Sequence, residues 1–221
     1  MNPPGTPVRS LTWFVGCRRQ DAADVEATEM TAVDERGMTK YFEELQPPEG
    51  IKVELLRGEI VMMASPDLVH NMIVEDVLDQ IPRKRWSRLQ TQDVDILDEA
   101  SEPVPDLVVL EREARPASGR LLPSSLIMMV VEVVSKTSVQ RDYEIKRSIY
   151  AAGKVPVYLI VDPVMAQCVL LTRPVGNGDN ADYQRQQVTK FGAPLPLEEL
   201  GLELDTTEFG TFPNVRPHRY P

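Results

Sequence analysis

The chain has no excess of basic charge. Its 221 residues carry 24 lysines and arginines against 34 aspartates and glutamates, a net charge of -10. A protein that holds a phosphate backbone usually shows a basic stripe, so this balance weighs against nucleic-acid binding. It does not weigh against a metal site, which needs clustered carboxylates and depends on local rather than average charge. Cysteine is nearly absent. Cys17 and Cys168 stand far apart with no CxxC spacing, which excludes a disulfide framework and a zinc knuckle and makes a reducing, cytoplasmic setting the expectation. Histidine is equally scarce, with His70 and His218 alone, so no histidine-based zinc or nucleophile system is supported. Ser135 follows no G-x-S-x-G elbow, which removes an esterase reading. No apolar run approaches the roughly 18 residues of a bilayer span, so no membrane partner is expected.

What the sequence does have is an otherwise ordinary globular composition and one anomaly. From Leu126 to Val134 it reads LIMMVVEVV, a Val- and Ile-rich run closed by Ser135-Lys136-Thr137. Such a run reads as a strand buried on both faces. Glu132 lies inside it, and an unpaired buried carboxylate costs several kcal/mol on the usual scale, about 2–7 for a polar group and more for a charge. Glu132 therefore requires a cation, a hydrogen-bond partner, or a place near the strand end.

The surrounding pattern organises into one domain over residues 39–210, with an arm before it and a proline-containing tail at 211–221. Residues 1–38 combine "NPPGTP", the isolated apolar heptad "LTWFVGC" and an acidic Ala/Thr-rich stretch. The heptad is at the lower limit for a signal h-region and contains a Thr, so a disordered arm is expected rather than an export signal. "MTKYFEEL" predicts a short helix capped by Thr39. "IKVELLRGEIVMMAS" predicts a hairpin turning at Arg57-Gly58. Ser65-Pro66-Asp67 opens a helix carried to about Trp86, with Ile73, Val74, Val77, Leu78 and Ile81 at helical spacing. "LQTQDVDIL" and "PVPDLVVL" read as strands about a "DEASE" turn. "VQRDYEIKRSIYAAG" reads as a helix ending at Gly153, and "VPVYLIVDP", "QCVLLTRP" and "DYQRQQVTKF" as further strands. Strands interleaved with two main helices imply a three-layer α/β domain, a central mixed β-sheet flanked by helices.

Asp106 follows Pro105 where a loop meets the strand "DLVVL", and Glu132 lies near the end of its own strand. If those strands are neighbours, two carboxylates converge at one rim of the sheet. One or two carboxylates with waters and substrate phosphate form the usual Mg²⁺ site. Lys146 follows in the next helix, which must pack back on the sheet and can bring an ammonium to the same rim. Two acids, a metal and a lysine suit phosphodiester hydrolysis, with the lysine orienting or deprotonating water or stabilising charge.

These residues also carry a resemblance. The "PD" at Pro105-Asp106, the strand ending "VEVVS", then "DYEIKRSIY" and "VPVYLIVDP", resemble the Uma2 (DUF820) family of endonucleases in the PD-(D/E)XK restriction-endonuclease-like superfamily. "VELLRGEIVMMASP" resembles the same family's leading hairpin, and the likeness runs from about Tyr41 to Phe209. The resemblance implies a restriction-endonuclease-like fold and a Mg²⁺- or Mn²⁺-dependent DNA nuclease. Asp106 and Glu132 match the metal-binding acids. Lys146 matches a lysine moved into the helix, since the superfamily's usual lysine position holds Val134. Glu54 matches an upstream acid, with Glu59 and Glu75 as neighbouring alternatives. A homodimer would suit a cutter of both strands with one site per chain.

Plainer readings compete with each assignment. Lys146 could form an i,i+4 surface pair with Asp142, Asp106 could cap a turn, and Glu54 could face solvent. His70 reads as a local hydrogen-bonding residue, and Tyr143 and Tyr150 as packing residues. Arg83, Lys84, Arg85 and Arg88 around Trp86 could contact phosphate or relieve a helix C-terminus. The competing class for the whole chain is a non-catalytic relative of the same fold, with an interaction or regulatory role.

Overall fold

Alternation along one strand sets the architecture. In β7 (Ile127–Val133), Met129, Val131 and Val133 belong to one buried apolar cluster and Ile127 and Val130 to another, so both faces of this strand are covered. The computed structural model describes residues 35–96 and 99–220. Of the expected arm at 1–38, residues 1–34 lie outside the described residues and the remainder belongs to the first helix; the end of "LQTQDVDIL" at Leu97 also lies outside them.

The chain forms α1 (Glu35–Glu44), the strands β1 (Ile51–Leu56) and β2 (Glu59–Ala64), then α2 (Leu68–Gln80). It continues through β3 (Trp86–Leu89), β4 (Val94–Asp95), β5 (Leu107–Glu111), β6 (Leu122–Pro123) and β7. A π-helical turn, Arg141–Ile145, runs directly into α3 (Lys146–Ala152). The strands β8 (Val157–Asp162), β9 (Gln167–Val175), β10 (Asp182–Lys190), β11 (Leu195–Leu197) and β12 (Leu202–Leu204) complete it. The six-stranded sheet has the order β10-β9-β8-β7-β5-β3, antiparallel except for β7 beside β8.

One face of the sheet packs against Ile73, Val74, Val77 and Ile81 of α2 and against Leu195, Leu197 and Leu204 of the β11–β12 hairpin. The opposite face packs against Ile149, Tyr150 and Ala151 of α3 and against Leu56, Val94 and Ile96. This is the expected three-layer α/β arrangement. Among the described residues no helix is long and apolar enough to cross a membrane.

The β1–β2 hairpin turns at Arg57 and Gly58, both with positive φ (51° and 76°), the geometry of a two-residue type I′ turn. Three local expectations are corrected. Thr39 falls inside α1 rather than capping it, because the helix begins upstream at Glu35. The helix opened by Asp67 stops at Gln80 rather than near Trp86, because Pro82 drives Ile81 to extended backbone (φ -94°, ψ 115°). The "RKRWSR" stretch is therefore a turn and the start of β3. "LQTQDVDIL" yields only the two-residue β4, since its backbone turns away to bond Pro103 and Leu122 instead of a long partner strand. The tail makes contacts with the domain. His218 Nε2 donates to Asp162 at 2.6 Å and Tyr220 stacks on Tyr143.

Candidate functional site

Strand register brings the first two acids together. β5 runs antiparallel to β7 with Leu107 opposite Val131, so Asp106, one residue before β5, lies across from the Glu132 end of β7. The Val133 N–H donates to Asp106 Oδ2 at 2.9 Å and ties the two strand ends. Glu132 shares its face of β7 with Val130 and Val134, the face covered by α3. Lys146 opens α3 and Tyr150 follows one turn later on the same side, so both reach Glu132 Oε1, at 2.7 and 2.6 Å. Lys146 Nζ also donates to Glu54 Oε1 at 2.8 Å, and Glu54 comes from β1 on the hairpin.

All four residues singled out from the sequence thus meet at one place. Lys146 is 1% exposed, so the i,i+4 surface pair with Asp142 is not what explains it, and Asp142 is itself buried against Ser138 Oγ. Glu54 is fully buried rather than facing solvent, with the Val104 N–H at 2.9 Å as a second donor. Glu59 and Glu75 are exposed and do not line the site.

Three further side chains complete the arrangement. Lys52 donates to Asp106 Oδ1 at 3.3 Å and lies 3.7 Å from Glu54 Oε1. His70 Nε2 donates to Asp106 Oδ2 at 3.0 Å, in addition to its local contact with Asn71. Tyr150 is more than packing, because its hydroxyl serves Glu132. Spacing held a partial signal for two of them: Lys52 is two residues before Glu54 on one strand, and Tyr150 is four after Lys146 on one helix. Nothing local in the sequence pairs His70 with Asp106. The hydrogen bond from Tyr150 goes to a buried acid, and bonds of that kind contribute about 1.5–3 kcal/mol. Tyr150→Phe is expected to lower unfolding stability by that amount in urea titrations at neutral pH; a change below a few tenths would mean the bond is not made.

The electrostatics follow from burial and these contacts. Burial pushes Glu132 up to about 7 against the pull of Lys146. Glu54 feels the same burial, but Lys146 and Lys52 outweigh it and hold its carboxyl below the ordinary range. Asp106 is buried as well, yet Lys52 and His70 hold it well below the ordinary carboxylate range. Burial would discharge Lys146, but Glu132 and Glu54 win and raise it above an ordinary lysine. Lys146 is therefore firmly protonated, and Glu132 is the acid hardest to ionise.

Lys52, His70, Asp106, Glu132 and Lys146 line a cleft of about 920 Å³ that opens between the hairpin, the start of α2 and the π-helical turn, while Glu54 and Tyr150 are buried and do not line it. The basic run near Trp86 does not line it. Arg88 there donates to the Ile81 carbonyl at 2.9 Å and to the Leu78 carbonyl, relieving the C-terminus of α2, while Arg85 stacks on Trp86.

The comparisons with known proteins bear on this site and fold. Residues 39–207 match the Uma2 family, described as "Putative restriction endonuclease". The chain belongs to the Uma2 family. A solved structure from Anabaena variabilis ATCC 29413, a putative nuclease belonging to DUF820, superposes with a TM-score of 0.62 at 15% identity. The likeness covers 77% of this chain and 96% of that one, and it shows the shared restriction-endonuclease-like fold. No curated protein matches the chain. The Uma2 match spans Glu54, Asp106, Glu132 and Lys146.

Metal fit can be judged from the donors themselves. Among the described residues no three His, Cys, Asp or Glu side chains converge as a metal cluster. Lys146 instead bridges Glu54 and Glu132, while Lys52 and His70 hold Asp106. The donor chemistry nevertheless suits a hard cation: Glu54 Oε2 is buried with no partner, and Asp106 and Glu132 both line the open cleft.

Proposed function

We propose that this protein is a Mg²⁺- or Mn²⁺-dependent nuclease that hydrolyses DNA phosphodiester bonds. The meeting of Asp106, Glu132, Glu54 and Lys146 at one rim of the sheet, from four separate elements, carries this reading. Asp106 and Glu132 would hold the metal, with Glu54 in support. A bound Mg²⁺ or Mn²⁺ supplies Lewis-acid neutralisation of charge on the phosphate and a more acidic water. Lys146 has three N–H donors, of which two are committed to Glu132 and Glu54, leaving one for a water or a phosphate oxygen. Its raised pKa makes it an orienting, charge-stabilising donor rather than a base. Asp106 is kept ionised by Lys52 and His70, so one anionic ligand is present throughout the physiological range. Cutting both strands would call for two copies of the chain.

One observation favours the non-catalytic alternative. Lys146 already neutralises both buried acids, so the trio has a structural purpose without a metal. Plasmid nicking separates the two readings. The nuclease requires nicking in Mn²⁺ or Mg²⁺ that EDTA abolishes and that returns when metal is restored. A folded protein that nicks with neither metal and binds no Mn²⁺ by calorimetry would be the scaffold instead.

A further inference from the structure

Four lysines and arginines line the cleft, and three have partners: Lys52 with Asp106, Lys146 with Glu132 and Glu54, and Lys136 with Asp67 at 3.6 Å. Arg141 differs. Among the described residues it makes no ion pair, and its Nε is buried without a hydrogen-bond partner, a state that carries a desolvation cost unless a ligand relieves it. The nearest acid in sequence, Asp142, directs its Oδ2 to the Ser138 hydroxyl.

The backbone explains why this arginine faces the cleft. In a regular α-helix, positions five apart diverge by about 140°, so Arg141 and Lys146 could not share a face. Here the Lys146 N–H bonds back to the Arg141 carbonyl, the i→i+5 bond of a π-turn. The wider turn brings Arg141 and Lys146 to the same cleft wall, and such π-turns recur at functional sites. Lys136 stands on that wall too, half exposed, its Nζ 4.9 Å from the Phe212 ring centroid.

We propose that Arg141 is a phosphate-binding residue that holds the DNA backbone beside the carboxylates, with Lys136 as a weaker second contact. The proposal rests on the nuclease reading and adds a residue for positioning substrate. A guanidinium presents a planar donor fork that matches phosphate oxygens bidentately. The cleft lining carries five carboxylates beside its four cations, so it does not offset the chain's net charge of -10, and contact with a polyanion falls to the cation that makes no ion pair among the described residues. Phosphate contacts position without reading bases, so the subsite favours no DNA sequence.

The test is fluorescence anisotropy with a labelled DNA duplex over a salt series, with Ca²⁺ replacing the activating metal to hold off cleavage. Arg141→Gln is expected to bind about tenfold more weakly and to lower the slope of log affinity against log salt by about one. Its Mn²⁺ affinity without DNA should equal that of the wild type. Arg141→Lys should keep the slope and lose part of the affinity, because a point charge replaces the fork; it carries the test if Arg141→Gln does not fold. Wild-type affinity and slope in both variants would overturn the proposal. So would a parallel loss of Mn²⁺ binding, which indicates a structural role, or a wild type that binds no duplex at low salt. The two readings fail separately. A wild type that binds duplex with the Arg141 dependence but never nicks overturns the nuclease alone, and a nicking wild type matched by both variants overturns the subsite alone.

Discussion

Glu132→Gln is expected to lower metal-dependent DNA cleavage by about 10³-fold while leaving the protein folded. The substitution keeps the shape of the side chain and an oxygen that can accept from Tyr150 and Lys146, whose contacts at 2.6 and 2.7 Å hold it in place. It removes the charge. A metal held by Asp106 and Glu132 loses one of two anionic ligands, and Lewis-acid stabilisation of a transferring phosphate is worth several kcal/mol. At 1.36 kcal/mol per tenfold in rate, a loss of about 4 kcal/mol corresponds to roughly 10³. Stability should change little, because burial already holds the Glu132 carboxyl near 7, so a neutral group is well tolerated there. Initial nicking rates at saturating Mn²⁺, with thermal unfolding as the control, measure both. Cleavage within tenfold of wild type in a folded variant would remove Glu132 from the metal site.

Lys146→Met is the stability counterpart, and its effect should be the largest of any single change in the cleft. Removing one partner of a buried ion pair costs about 3–5 kcal/mol, since the remaining charge stays buried. Here two acids lose their shared cation, and Glu54 keeps only Lys52 at 3.7 Å and the Val104 N–H. The loss should depend on pH. Without Lys146, the folded-state pKa values of Glu54 and Glu132 rise above their unfolded values, so the folded variant binds more protons than the unfolded chain. Its stability therefore increases as pH falls, and the deficit against wild type should shrink between pH 8 and pH 5. Adding Glu54→Gln should recover part of the loss at pH 8, because one orphaned charge is gone. Denaturant unfolding of the wild type, both single variants and the double variant decides this. A deficit below about 1 kcal/mol, or one that grows as pH falls, would show that the triad is solvated rather than buried.

The two substitutions also separate the roles of one cluster. Glu132→Gln should fail in cleavage with the fold intact, and Lys146→Met in stability first. A scaffold without catalysis predicts the second result and not the first.

Much of this arrangement was legible along the chain, for physical reasons that differ by residue. An acid inside LIMMVVEVV demanded a partner, because burial makes its charge costly whatever the fold. Asp106 after Pro105 marked a strand end, and strand alternation with helical spacing predicted the layers. Local signals failed where backbone geometry overrode them, as at Pro82, which ended α2 early, and at the π-turn, which no apolar period reveals.

By itself, the sequence determined the apolar faces of the core, most strands of the central sheet, and that Glu132 could not stand alone. Only the tertiary structure decided its partners. Register set Asp106 across from Glu132, the hairpin delivered Glu54 and Lys52, and α2 brought His70 to Asp106. The protonation states follow from that assembly, because they depend on desolvation and on charges a few ångströms apart in space, whatever their separation along the chain.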